Sequence, residues 1–393
     1  MRPFLFVLCF IWSGVIWTQD SLLHTTQVSI LSCDPGSDLY STFGHTAIRV
    51  FDHQRGIDQV FNYGTFDFQT PNFYLKFMRG KLPYRLSVTS YANFLQEYNH
   101  FQRGVREQLL FLDDVQRVIL IKALIENAKP ENAEYAYDFF FDNCSSRVRD
   151  MIIKNVGSPV SFDTAGKNLE LTFRDMLHQY LTAMPWTAYG IDLIIGRKAD
   201  AKASLMDQMF LPDYLHDHFV HAKIEGDSIR TLCADSYKVL IFDDELKARQ
   251  QPSWFSPWVV YFYLMLMFGI LWYARQFKYL GLSLKAVYII NGIAGLIMLI
   301  MWFGTEHQAT KDNWNFIWAS PLYFWLAFGS GSRGKSILAA VLAVCSAVYL
   351  AIAWSPFAFQ DAETVTPHIL FNIIASVIGM LYEKRQVEPT FED

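Results

Sequence analysis

Three residues in this chain have the types and spacing for one nucleophilic site: Cys144, His45 and Asn62. Cys144 follows Asp142 and Asn143, both good N-cap residues, and Arg147, Val148, Met151 and Ile152 then recur at helical spacing. A helix is therefore expected to start near Cys144. A thiol there lies over unpaired backbone N–H groups and the positive end of the helix dipole, which favours thiolate over thiol. A thiol nucleophile needs a base, and the base needs a group to orient it. Phe43-Gly44-His45 places an imidazole at the start of a strand, beside a glycine that allows close approach. Asn62, in the next strand, can fix the ring tautomer, as in Cys-His-Asn arrangements. His53, in the intervening turn, is the weaker competitor. The plainer alternative makes Cys144 a small core residue and His45 structural.

The elements that must hold these residues are expected as follows. Val28–Leu31 reads as a strand ending at the turn Cys33-Asp34-Pro35-Gly36. His45–Phe51, Gln59–Tyr63 and Tyr84–Thr89 are rich in β-formers. Asn72–Gly80 is a short basic and aromatic segment. Helical spacing runs over Asn93–Arg103, Asp114–Asn127, Leu171–Ala183 and Ala203–Ile224. Tyr137–Phe141 is an aromatic run expected as a short buried strand or a helix end. The mixture predicts a small α+β domain with an antiparallel sheet and added helices.

Composition adds a membrane. The chain is 52% hydrophobic and only 18% charged, with a mean hydropathy of +0.14. A net charge of -5 leaves no basic footprint for nucleic acid. The five cysteines show no paired CxxC spacing, so no metal site and no cofactor are expected from them. Residues 1–18 read as a signal peptide, with a retained anchor as the alternative. Residues 19–252 are globular in character, 253–383 hold five apolar stretches, and 384–393 form a polar tail. The stretches are Pro257–Tyr273, Ala286–Gly304, Phe316–Gly329, Ile337–Trp354 and Thr366–Tyr382; the third is short and contains Pro321. Basic residues follow the first, third and fifth: Arg275, Lys278 and Lys285; Arg333 and Lys335; Lys384 and Arg385. The positive-inside rule puts those loops and the C-terminus in the cytoplasm and the N-terminal domain outside. Trp302, Trp314 and Trp318 are expected in an interfacial belt. Cys33, Cys144 and Cys233 are then exported, an odd number, so that Cys33 can pair with Cys233 and leave Cys144 free.

The order of a His-bearing strand, a second strand with a polar residue and an Asn-Cys helix start resembles the circularly permuted papain-like fold of lecithin:retinol acyltransferase-like enzymes. More of the chain resembles the Bacteroidota membrane proteins with an Lnb N-terminal periplasmic domain. The residues that carry this likeness run from Cys33 to Gly36, Phe43 to Arg49, Asn62 to Asp67 and Phe139 to Asp150. Further along they run from Trp186 to Leu193 and Phe210 to Asp213, and take in the loop from His307 to Asn315. The resemblance implies a lipoprotein N-acyltransferase of the bacterial inner membrane with its catalytic domain in the periplasm. It would move an acyl chain from a membrane phospholipid to the N-terminal amine of a diacylated lipoprotein, through a thioester. Carried onto this chain, Cys144 is the nucleophile, His45 the base and Asn62 the third member. Ser145, Asn143, Arg147, Tyr63, His307 and Asn313 are the candidates for substrate binding or oxyanion contact. Two other classes stay open: a membrane-anchored papain-like peptidase or amidase, and a non-catalytic envelope assembly protein.

Overall fold

The computed structural model describes residues 26–36, 38–226, 228–242 and 253–387. The expected signal peptide lies outside them.

The N-terminal domain is built on a seven-stranded sheet in the order β10-β5-β1-β2-β3-β4-β6, every neighbouring pair antiparallel. Its strands are β1 (Thr26–Cys33), β2 (His45–Asp52), β3 (Ile57–Thr65), β4 (Pro83–Ser90), β5 (Val105–Leu109), β6 (Glu134–Ala136) and β10 (Tyr237–Leu240). Strands β7 (Val160–Ser161), β8 (Lys223–Ile224) and β9 (Arg230–Thr231) form a small second sheet. Side chains alternate across the main sheet, as the two-residue period of a strand requires. Val28 and Ile30 of β1 and Ile48 and Val50 of β2 join Leu120, Ile121, Val148 and Ile152 in one core. Leu31, Cys33 and Ala47 turn instead to a core with Phe94 and Tyr98.

The helices α1 (Phe73–Met78), α2 (Tyr91–His100), α3 (Asp114–Asn127), α4 (Pro130–Ala133) and α5 (Cys144–Val156) surround this sheet. The first core lies under α3 and α5, the second under α2. Helices α6 (Phe173–Leu181), α7 (Pro185–Ile194), α8 (Leu205–Gln208) and α9 (Pro212–Phe219) follow. Where one long helix was expected over Ala203–Ile224, Pro212 opens a new helix instead, because it has no N–H to continue the old one. The Tyr137–Phe141 run is neither strand nor helix: after β6 it forms a turn closed by backbone bonds between Asp138 and Asp142.

Cys33 and Cys233 lie in the two different cores, on opposite faces of the sheet, and both are free thiols. The expected pairing is therefore absent. Burial pushes each thiol up to about 12.

The C-terminal region is helical: α10 (Pro257–Tyr273), α11 (Phe277–Phe303), α12 (Tyr323–Phe328), α13 (Ser332–Ala353) and α14 (Thr366–Val387). Two of these, α11 and α13, are long and apolar enough to cross a bilayer by themselves. The third apolar stretch is mostly irregular. A 3-10 turn at Trp314–Ile317 precedes the six residues of α12, and a helix that short extends only ~9 Å. Pro321 and the side chains of Asn313, Asn315 and Ser320 account for the break, since each competes with helical backbone bonding. Trp318 is not a belt residue either; it is fully buried and donates to Asn315 Oδ1 at 3.0 Å.

The helix ends sort into two groups. At one end, the Lys285 ammonium lies over Phe328, the Arg385 guanidinium over Phe277, and Lys335 pairs with Glu383. At the other end, the segments before and after α12 and α13 meet the N-terminal domain. Asn313 and Asn315 reach the last carbonyls of α7, and Thr364 reaches Asp192.

Candidate active site

The Cys-His-Asn residues converge where β2 begins and β3 nears its end, against the start of α5. Gly44, just before β2, has φ +80, and a Cβ there would fall 2.8 Å from the Cys33 carbonyl oxygen. Only glycine fits this turn, and it sets His45 as the first residue of β2. His45 Nε2 is hydrogen-bonded to Asn62 Oδ1 of β3. An amide oxygen only accepts, so Nε2 carries the proton and Nδ1 is left for Cys144. Cys144 is the first residue of α5, as the cap residues predict. Asn143 Oδ1 accepts from the N–H groups of Ser145 and Ser146 at 2.8 and 2.9 Å, and the Ser146 hydroxyl accepts from the Asn143 N–H at 2.8 Å, a reciprocal cap.

Two backbone features make room for the thiol. The β3–β4 register shifts between Asn62 and Thr65. Within that bulge Gly64 has φ +86 and lies against Cys144, where an added Cβ would come to 3.4 Å from the Cys144 Cβ.

The electrostatics favour an ion pair. Burial opposes the Cys144 thiolate, but the charge of His45, its hydrogen bond, and the backbone N–H groups of Thr46 and Ser145 outweigh it, holding the thiol below its ordinary value. Burial likewise opposes the imidazolium, but the Cys144 charge and hydrogen bond, then Asn62, hold His45 above its ordinary value. A thiol pulled down beside an imidazole pulled up shifts the pair toward thiolate and imidazolium, the direction that thiol nucleophilic chemistry needs. Tyr135 and Tyr137 flank it as neutral phenols, their ionisation suppressed first by burial and then by the Cys144 charge.

The remaining sequence candidates have other partners. The Asn143 side chain is 3% exposed, and its amide donates to the carbonyls of Phe139 and Phe210 at 2.9 and 2.8 Å, so it braces the helix start and has no group left for substrate. Tyr63 is 1% exposed and donates to Asn127 Oδ1 at 2.6 Å in the core under α3. Arg147 grips Asp142 with two bonds of 2.6 and 2.8 Å and lies over the Tyr135 ring, which occupies it with an ion pair. The Ser145 hydroxyl is bonded to Thr46 Oγ1 at 3.0 Å. His307 lines a cavity of about 220 Å³ together with Tyr137. Asn313 is fully buried and donates to the Leu193 and Ile194 carbonyls, each at 2.9 Å, so its amide caps a helix end. The Thr46 N–H beside the sulfur was not foreseen; a backbone donor carries no signal in its residue type.

The domain is fastened to the helical region by a buried joint. Arg174 and Asp192 are 2% and 1% exposed. The Asp192 carboxylate accepts from Arg174, His178 and Thr364, and Arg174 also holds Asp200 at 2.7 Å. Burial opposes the Asp192 charge, but His178 and Arg174 outweigh it and hold the carboxyl below its ordinary range. A second cleft of about 820 Å³, lined by Asp34, Arg106, Tyr180 and Asp213, contains none of the three Cys-His-Asn residues.

A thiol and imidazole set at a sheet end, on a domain locked to apolar helices, define a membrane protein with a thiol-type site. Residues 15–179 match the family model described as the Lnb N-terminal periplasmic domain, and residues 249–386 match the one described as the Lnb transmembrane domain. The chain belongs to the Lnb family. Comparison with curated proteins and with solved structures found no match.

Proposed function

We propose that this protein is a lipoprotein N-acyltransferase that uses Cys144 as nucleophile, His45 as general base and acid, and Asn62 to orient His45. The observation that carries the reading is the Cys144–His45–Asn62 chain of hydrogen bonds on a domain held against membrane helices. Membership of the Lnb family supports the lipid chemistry. The order of the three residues along the chain supports a permuted papain-like core.

In the first half-reaction His45 Nδ1 takes the Cys144 proton and the sulfur attacks the ester carbonyl of a phospholipid acyl chain. The carbon–oxygen bond breaks, His45 returns the proton to the leaving alcohol, and a lysophospholipid departs from an S-acyl Cys144. The backbone N–H groups of Thr46 and Ser145, beside the sulfur, are the donors we assign to the developing oxyanion. In the second half-reaction His45 takes a proton from the α-amine of a diacylglyceryl-cysteine, which attacks the thioester. The carbon–sulfur bond breaks, an amide forms, and the thiolate–imidazolium pair is restored.

We read the C-terminal region as five membrane passages, the third broken at Pro321, in the inner membrane with the C-terminus cytoplasmic. The gathering of Lys285, Lys335 and Arg385 at the end away from the N-terminal domain supports this orientation. The reading is tested by supplying the purified protein in phospholipid vesicles with a diacylated lipopeptide. A triacylated product from wild type and none from Cys144→Ser is expected; product from Cys144→Ser would rule the mechanism out.

A further inference from the structure

Helix α1 leaves most of its apolar side chains exposed. Tyr74, Leu75, Phe77 and Met78 are 76%, 51%, 49% and 54% exposed, and no residue of α1 is buried. Phe68, in the preceding turn, is 67% exposed. An apolar group this concentrated on a short segment marks an interaction surface. Lys76, Arg79 and Lys81 are interleaved with it, the mixture found in elements that lie among lipid headgroups.

What fixes the level of α1 is its tie to the membrane helices. The Arg79 carbonyl accepts from the Glu306 N–H at 2.9 Å, the Phe77 carbonyl is bonded to His307 Nε2 at 2.9 Å, and Lys81 pairs with Glu306 at 2.9 Å. Gly80, with φ +68, permits this approach, since a Cβ there would sit 3.0 Å from the His307 nitrogen. Glu306 and His307 follow directly on the end of α11 at Phe303, and α11 is one of the two helices long and apolar enough to cross a bilayer. α1 is thus pinned at the end of a helix long and apolar enough to cross a bilayer.

Behind α1 lies the cavity of about 220 Å³, walled by Phe77, Leu82, Tyr84, Tyr137, Phe139 and His307. A file of rings leads inward from α1. Phe77 contacts Phe73 at 6.3 Å between centroids, Phe73 contacts Phe66 at 5.8 Å, Phe66 contacts Tyr84 at 5.4 Å, and Tyr84 stacks on Tyr137 at 4.4 Å. Tyr137 flanks Cys144. The lining is mostly aromatic and apolar, with His307 and the Tyr84 and Tyr137 hydroxyls as its polar groups, and suits a hydrocarbon chain.

We propose that α1 is a membrane-surface insertion whose exposed face lies in the leaflet on the side of the N-terminal domain. We further propose that the cavity behind it is the path by which an acyl chain of a leaflet lipid reaches Cys144. The second step rests on the acyltransferase reading; the placement of α1 does not.

The test uses the full chain in vesicles of phosphatidylethanolamine and phosphatidylglycerol. Leu75→Cys is labelled with an environment-sensitive fluorophore in a Cys144→Ser background, with labelling of the parent subtracted. A nitroxide carried on the upper acyl chain of added phospholipid is expected to quench the label at 75 several-fold more than labels at Val115→Cys and Ile229→Cys, two other exposed apolar positions. Equal quenching at all three would overturn the placement. For the path, Leu75→Glu combined with Met78→Glu is expected to slow acyl-enzyme formation from vesicle phospholipid at least tenfold. The rate with water-soluble p-nitrophenyl acetate should stay unchanged. No loss with vesicles, or an equal loss with both donors, would overturn the path. Should wild-type Cys144 take an acyl group from neither donor, the acyltransferase reading and the path fail together, while the quenching result still decides where α1 lies.

Discussion

Two clusters of polar and ionisable groups, the partly buried Cys144–His45–Asn62 site and the buried Arg174–Asp192 joint, meet the problem of desolvated charge in opposite ways. At the joint every charge has its complement within the protein. Asp192 is bonded by Arg174, His178 and Thr364, while Arg174 is held by two carboxylates. Such a cluster is closed and has no reactivity left to offer. At the other site the charges exist only in relation to each other. His45 pulls the Cys144 thiol down and Cys144 pulls the His45 imidazole up, and among the described residues the further side-chain hydrogen-bond partner of His45 is Asn62. A closed cluster locks two parts of a fold together; an open one leaves a thiol and an imidazole free to act on something else.

Each substitution below strains that contrast, in order of expected size. His45→Ala removes the base and half of the ion pair, and the rate of acyl transfer should fall by about 10²- to 10⁴-fold. The protein should still fold with the same melting temperature to within a few degrees. Arg174→Ala does the reverse. Removing one partner from a buried pair costs about 3–5 kcal/mol, so thermal unfolding of the detergent-solubilised protein should move down sharply. Cys144 in the fraction that remains folded should stay reactive.

Asn62→Ala is intermediate. It removes one hydrogen bond to a charged ring, worth about 1.5–3 kcal/mol, or roughly a 10- to 100-fold loss of rate. Its second readout is pH. With its thiol held below the ordinary value, wild-type Cys144 should alkylate with iodoacetamide at pH values below the ordinary thiol pKa of ~8.5. Asn62→Ala should move the midpoint of that profile upward, and His45→Ala should move it further; an unmoved midpoint would show that neither residue activates the sulfur. The smallest effect belongs to Tyr63→Phe. It loses a core hydrogen bond to Asn127, costing about 1 kcal/mol of stability, and acyl transfer should be unchanged.

The two clusters also differ in how far they can be read from the chain. The open site was largely legible because its members lie on regular elements with strong local signals. Asn143 announces the helix that begins at Cys144, and an antiparallel hairpin brings His45 diagonally within hydrogen-bonding reach of Asn62, 17 positions away. Helix α3 was legible to the residue for the same reason, its start being fixed by the reciprocal cap between Asp113 and Gln116. The joint was not legible. Its partners are 18 and 172 positions apart, and nothing local marks an aspartate as the future partner of a threonine in a distant loop. Strand β5 was missed because its inward positions include Glu107, which is buried against Arg49 rather than alternating with apolar neighbours. Asn313 and Tyr63 were misassigned in a related way. Each is a polar residue in a suggestive stretch, and only the fold reveals that a helix end and a core amide already satisfy them. Polar type alone does not separate a satisfied group from an available one.

The central claim is that Cys144 carries the acyl group. Intact-mass spectrometry of the protein purified from membranes and incubated with phospholipid, without an amine acceptor, tests it most directly. Wild type is expected to gain the mass of one acyl chain, labile to hydroxylamine, and Cys144→Ser to gain none. A wild-type protein that stays unmodified under those conditions would contradict the acyl-enzyme mechanism.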